Sequence, residues 1–210
     1  MIPPNSLVFV IDDDASVRKG LTRLLHSAGY ESEAFHSAPD FLARPVHPGP
    51  CCMLVDVRMP GNGMRLQETL MQRGRDEQLI FITGHGDISM CAQAMKAGAV
   101  DFLSKPFTAN KVLRCVETAL MRAAEQRRRC AEKKEARRLL DLLTPREFEV
   151  MQLVTRGMLN KQIAGELGMA EKTVKVHRGR VMQKLRVTSV AELVRLVEKA
   201  CIAPAPRRKV

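Results

Sequence analysis

The chain has 210 residues, of which 45% are hydrophobic and 27% charged, with 34 Lys+Arg against 23 Asp+Glu and a net charge of +11. That length holds one large domain or two small ones. The basic excess excludes an acidic, solvating chain and points to a polyanionic partner, nucleic acid or an anionic membrane surface.

The charge is uneven. Residues 1–122 carry 13 basic and 13 acidic side chains, residues 123–142 are net +3 and residues 143–210 are net +8. A neutral half followed by a basic third suggests two domains. No apolar run approaches the ~18 residues that a membrane span needs, and the first ten residues lack a basic leader, so no signal peptide and no membrane role is expected. The six cysteines form no C-x-x-C pair, so free thiols in a reducing cytoplasm are expected. With no Trp and Tyr30 as the single Tyr, a stacking platform for single strands is poorly supported.

In chain order, Leu7–Ile11 is an unbroken apolar run, the mark of a strand buried on both faces. Residues 16–28 show a helical period stopped by Gly29, residues 31–35 a weaker strand, and residues 38–43 a short helix. Residues 51–55 form a second apolar strand that ends at Asp56. A helix at 64–73, a strand at 79–83, a helix at 88–97 closed by Gly98, a strand at 100–103 and a helix at 109–124 follow. Five β-α units of this spacing predict a parallel sheet, doubly wound with helices on both faces. In such sheets the ligand sits at the carboxyl ends of the strands. Those ends carry Asp12, Asp13 and Asp14, then Asp56, then Thr83, then Lys105 and Pro106.

Clustered carboxylates without Cys or His favour a hard divalent cation such as Mg²⁺ (or Mn²⁺). A carboxylate beside such an ion can act as a nucleophile toward phosphorus. Lys105 can neutralise the transferring group and the Thr83 hydroxyl can hydrogen-bond it. A single strand-end Asp can simply cap the next helix. Asp12, Asp13, Asp56, Thr83 and Lys105 together, on four strand ends, argue for a site.

VIDDDASVR, LVDVRMP, FITGHGD and AMKAGAVDFLSKPF resemble the receiver domain of two-component response regulators, over about residues 5–122. The resemblance implies a flavodoxin-like fold with strand order 2-1-3-4-5. It implies Asp56 as phosphoacceptor, Asp13 as direct metal ligand, Asp12 acting through water, and the backbone carbonyl of Arg58 as a further ligand. Lys105 would pair with the phosphoryl group, Lys105–Pro106 would be cis, and Thr83 and Phe102 would form the switch, with Phe102 also readable as an ordinary core aromatic. His85 and Arg58 would flank the phosphoryl group. One departure stands out: after Met59–Pro60 the chain reads Gly61-Asn62-Gly63-Met64, one residue shorter than the family usually has.

Residues 123–140 are dense in charge and hold no Gly or Pro, so they can extend the preceding helix; their apolar positions are too sparse for a coiled coil, and they are expected as a solvated helical linker. Thr144-Pro145-Arg146-Glu147 reads as a capping box with Pro at the first helical position. A short helix at Asn160–Leu167, ended by Gly168, then leads to a basic helix from Glu171, and a last helix follows the Ser189–Glu192 capping box. This is a helix-turn-helix pattern within an all-α four-helix domain, residues 141–204. With Val174, Val181 and Leu185 inward, Lys172, Lys175, Val176, Gly179 and Gln183 face outward, flanked by Arg180 and Lys184. Lys175 can reach base edges and Val176 a thymine methyl. Lys172, Thr173, Arg180 and Lys184 are placed for phosphates. His177 and Arg178 lie nearer the packed side, and a structural hydrogen bond is the expectation for His177.

LTPREFEVMQLVTRG, NKQIAGELG and KTVKVHRGRVMQKL resemble the LuxR-type DNA-binding domain. Both halves together resemble the FixJ/NarL class of response regulators. Carried across by position, DNA contacts fall on Lys161, Lys172, Thr173, Lys175, Val176, His177, Arg178 and Lys184. At Gly179 the family often has a cationic or bulkier residue, so the resemblance implies that side-chain base reading is lost there, and Ala170 stands where a Ser cap is usual. The implied protein is no enzyme. It is a cytoplasmic transcription regulator that takes phosphate from a sensor histidine kinase and binds double-stranded promoter DNA, as a homodimer on phosphorylation or DNA binding, with RNA polymerase a further candidate partner. A DNA binder that ignores phosphorylation is the alternative, the intact acidic cluster arguing against it. An aspartyl-phosphate phosphohydrolase is another, disfavoured because Arg58 stands where many such enzymes have a second Asp.

Overall fold

The computed structural model describes residues 2–84 and 88–201, without the side chains of 88–91. It divides into two compact units, Met1–Arg127 and Arg128–Val210.

In the first unit the strands are β1 (Leu7–Ile11), β2 (Ser32–Phe35), β3 (Cys51–Asp56), β4 (Gln78–Thr83) and β5 (Asp101–Ser104). All pairings are parallel, and the order is β2-β1-β3-β4-β5. The connecting helices are α1 (Ala15–Ser27), α2 (Ala38–Leu42), α3 (Gly63–Gln72), α4 (Ile88–Lys96) and α5 (Ala109–Leu140). Alternate residues of each strand feed two separate cores. Phe9, Met53 and Phe81 pack with Phe41, Leu66 and Leu70 on one face, and Val10, Leu54 and Ile82 pack with Leu21, Leu25 and Val116 on the other. Burial on both faces explains why β1 and β3 read as unbroken apolar runs.

The charge-dense segment extends the preceding helix, so that α5 runs unbroken to Leu140. The segment expected as a solvated linker is tied down at both ends. Arg127 donates to the carbonyls of His47 (3.0 Å) and Pro48 (2.6 Å) in the first unit. Ala136, Leu139 and Leu140 are buried in the core of the second unit. These three stand at i, i+3 and i+4, one helical stripe within a charge-dense stretch.

The second unit adds α6 (Pro145–Thr155), α7 (Asn160–Leu167), α8 (Glu171–Lys184) and α9 (Val190–Lys199). The Thr144–Glu147 capping box forms as read. Gly168 takes the left-handed conformation (φ 61°) that turns α7 toward α8. Val174, Val181 and Leu185 are buried on one face of α8. On α9, Leu193 is buried, while Val190, Leu196 and Val197 pack at its edge. Among the described residues no helix is long and apolar enough to cross a membrane.

Candidate functional site

The parallel register brings the strand ends to one edge. Asp56 is the last residue of β3 and pairs with Ile82, and Thr83 ends β4 opposite Ser104. Asp12 follows β1, its amide donating to the Phe35 carbonyl at 3.3 Å. Lys105 follows β5, its amide donating to the Thr83 carbonyl at 2.7 Å. The Lys105–Pro106 peptide bond is cis.

Side chains converge accordingly. Lys105 Nζ donates to Asp56 Oδ2 at 2.6 Å and to Asp12 Oδ2 at 3.1 Å. Asp12 and Asp56 are buried and Thr83 fully so. Carboxylate oxygens of Asp12, Asp13 and Asp56 lie within 4.8 Å of one another, with Asp13 exposed to solvent. The remaining Asp12 oxygen accepts from the Asp14 amide (2.8 Å), and the remaining Asp56 oxygen from the Arg58 amide (2.8 Å). Burial pushes the Asp12 carboxyl above its usual value, against the opposing pull of the Asp14 amide and Lys105. Burial acts downward on the Lys105 ammonium, but its hydrogen bonds to Asp56 and Asp12 outweigh that and hold it above the ordinary lysine value.

The three consecutive aspartates have different tasks. Asp14 is the plain helix cap, accepting from the Ser16 and Val17 amides at the start of α1. Asp12 turns into the edge instead, and its carbonyl accepts from the Arg18 guanidinium at 2.6 Å. Sequence reasoning had no signal for that arginine.

The loop after β3 closes tightly on Asp56. Asn62 takes a left-handed conformation (φ 53°) and caps the Met64 amide. A Cβ on Gly63 would meet the Asp56 carbonyl at 2.7 Å, so only glycine lets α3 begin this close to the strand end. Phe102 is half-buried against the core face that holds Phe81. Arg58 is exposed beside Asp56. His85 lies outside the described residues.

In the second unit, Lys172, Thr173, Lys175, Val176, Gly179, Arg180 and Gln183 are exposed on α8, and Lys161 is exposed on α7. His177 and Arg178 are half-buried, the packed-side position expected of them, whereas the internal engagement of Lys184 was not foretold. Lys184, expected at phosphates, donates to Glu147 Oε2 (2.6 Å) and to the Leu142 carbonyl (3.1 Å). Arg178 donates to Asn160 Oδ1 at 3.1 Å, which ties α8 to the start of α7. The structural hydrogen bond expected for His177 is not formed at Nδ1, which is buried without a partner. Ala170 caps α8 with no side-chain hydrogen bond.

The family described as response regulator receiver domain matches residues 8–117, and the luxR family of bacterial regulatory proteins matches residues 141–197. The chain is 46% identical over 196 residues to Nodulation protein W of Bradyrhizobium diazoefficiens, covering 92% of this chain and 86% of that protein. It is 42% identical over 204 residues to the transcriptional regulatory protein FixJ of Azorhizobium caulinodans, covering 96% and 97%. Among solved structures, the response regulator StyR is similar with a TM-score of 0.83 at 50% identity, covering 93% of this chain and 99% of that one.

Proposed function

This chain belongs to the FixJ/NarL class of two-component response regulators, and from that premise we propose how its acidic edge governs its basic helix. It is a phosphorylation-activated, DNA-binding transcriptional regulator, in a family of regulators and not of enzymes.

The phosphoacceptor is Asp56. The observation that carries this is the Lys105 ammonium, held 2.6 Å from Asp56 beside the Asp12–Asp13–Asp56 cluster. An Asp56 oxygen attacks phosphorus, the bond to the imidazole of a sensor kinase breaks, and an acyl phosphate results. Lys105 and the Thr83 hydroxyl hold the phosphoryl oxygens.

The donor set is all oxygen, which fits Mg²⁺ or Mn²⁺. Asp13, Asp56 and the Arg58 carbonyl would hold the ion, and Asp12, buried behind the exposed Asp13, would assist through water. When bound, it supplies charge neutralisation for the transferring group. Loss of the phosphoryl group to water is the only turnover in this reading.

Phosphorylation draws Thr83 toward the phosphoryl group, and Phe102 follows into the space behind it, biasing a two-state face of the receiver. The consequence is homodimerisation and stronger binding of α8 to double-stranded promoter DNA in the cytoplasm. Lys161, Lys172, Thr173 and Arg180 serve phosphates, and Lys175 and Val176 base edges. RNA polymerase is the downstream partner. Domain limits follow the same reading: receiver to about residue 122, helical connection to about 140, DNA-binding domain from 141.

The test is Asp56→Asn with acetyl phosphate and Mg²⁺. Wild-type protein gains one phosphoryl group and the variant none. Label retained on the variant assigns the phosphoacceptor elsewhere.

A further inference from the structure

Helix α8 carries a glycine that its own domain does not need. Gly179 lies mid-helix, and a Cβ added there would meet nothing within 4 Å. Alanine would fit and would favour the helix, because glycine in an exposed helix interior loses more backbone freedom on folding. Gly20 on α1 and Gly165 on α7 are open in the same way. Openness alone therefore marks no function.

What singles out Gly179 is its company. At 100° per residue it lies within about 60° of Lys172, Lys175, Val176 and Gln183, all exposed, and about 120–160° from the buried Val174, Val181 and Leu185. It is the middle of the outward stripe. The lysines on that stripe and Arg180 beside it supply charge. The centre supplies none: it is bare backbone next to Val176, an apolar side chain 47% exposed to solvent.

We propose that Gly179 is a specificity-determining position of the DNA interface: its missing side chain lets α8 sit deep in the major groove, where a thymine methyl packs between Val176 and the bare helix backbone. The inference rests on the DNA-binding reading of α8. Thymine is the base that presents a C5-methyl in the major groove, so an apolar, uncharged notch selects it. A methyl group on residue 179 would occupy the space that the base needs.

The experiment uses the full chain. Wild-type protein enriches duplexes from a random-sequence pool, and one enriched duplex is kept beside an unrelated duplex of equal length. G179A and the control G165A are compared with wild type for melting temperature and for affinity to both duplexes. Both variants melt at or above the wild-type temperature. G165A binds as wild type does. G179A loses about ten-fold or more on the enriched duplex, the scale of one mismatched base pair, and little on the unrelated one. Replacing thymine by deoxyuridine in the enriched duplex weakens wild type and leaves G179A nearly unmoved. G179A binding the enriched duplex as tightly as wild type overturns the proposal, as does an equal loss on both duplexes, a lowered melting temperature or indifference of wild type to deoxyuridine. A wild type that enriches nothing overturns the DNA-binding reading itself, and this inference with it.

Discussion

Lys184 Nζ stands 2.6 Å from Glu147 Oε2 and joins the last turn of α8 to the first turn of α6. Glu147 is already the partner of Thr144 in the capping box, its Oε2 accepting from the Thr144 amide at 2.9 Å. One buried carboxylate therefore serves a helix start and an interhelical ion pair. Burial acts to raise the Glu147 carboxyl, but Lys184 and the Thr144 amide and hydroxyl outweigh it and hold it below the usual carboxylate range.

Glu147→Gln should destabilise the second unit by about 1–3 kcal/mol, the scale of a charged hydrogen bond, with the half-exposed lysine keeping it from the upper end for buried pairs. The sign of the pH effect follows from the lowered value. The stabilisation is complete above the unfolded carboxylate range, near pH 4–5, and disappears as the pH falls through the lower folded value. Thermal unfolding of both proteins between pH 7 and pH 3 checks this. The gap between wild type and variant should narrow toward acid, and a constant gap would assign the loss to shape alone.

At the acidic edge, Mg²⁺ should raise the melting temperature of the first unit in proportion to the logarithm of its concentration once the site fills. Asp13→Asn should remove most of that rise and leave the metal-free melting temperature nearly unchanged, because Asp13 is exposed. Differential scanning fluorimetry with a Mg²⁺ titration is the measurement. A full shift in the variant would take Asp13 out of the ligand set.

The sheet and its acidic edge were legible for a physical reason. Strands buried on both faces read as unbroken apolar runs, and parallel connections bring their carboxyl ends together whatever the loops do. The strand pattern alone therefore puts Asp12, Asp56, Thr83 and Lys105 on one edge. Periodicity fixes the face of a helix but not its tertiary neighbour. The pairing of Lys184 with Glu147, 37 positions away, was therefore invisible, and so was Arg18 on the Asp12 carbonyl. Identity alone also could not say that Asp14 caps α1 while Asp12 turns inward.

Salt should weaken DNA binding steeply, because each lysine or arginine at a phosphate releases counterions. Lys172→Ala and Arg180→Ala should each reduce the slope of log affinity against log salt by about 1 and weaken all duplexes alike. Lys184→Ala should leave that slope nearly unchanged, since its ammonium is committed to Glu147 and the Leu142 carbonyl. Fluorescence anisotropy at four or more salt concentrations separates the cases. A reduced slope for Lys184→Ala would mean that the lysine leaves Glu147 for the phosphate.

The end of α5 makes the last distinction. If residues 123–140 were only a solvated connection, truncating an apolar side chain there would cost little. Leu140 is instead buried with Val150, Met151 and Leu193 in the second core. Leu140→Ala should cost about 2–5 kcal/mol, the range for a buried leucine truncated to alanine. The loss should fall on the unfolding of the second unit and spare the first, whose cores hold none of these residues. Met121, exposed on the same helix, supplies the contrast: Met121→Ala should change either transition by less than about 0.5 kcal/mol. Denaturant unfolding followed by hydrogen exchange, read separately on β3 and on α6, assigns each loss to its unit. An unchanged α6 in Leu140→Ala would return the last turn of α5 to the solvated connection.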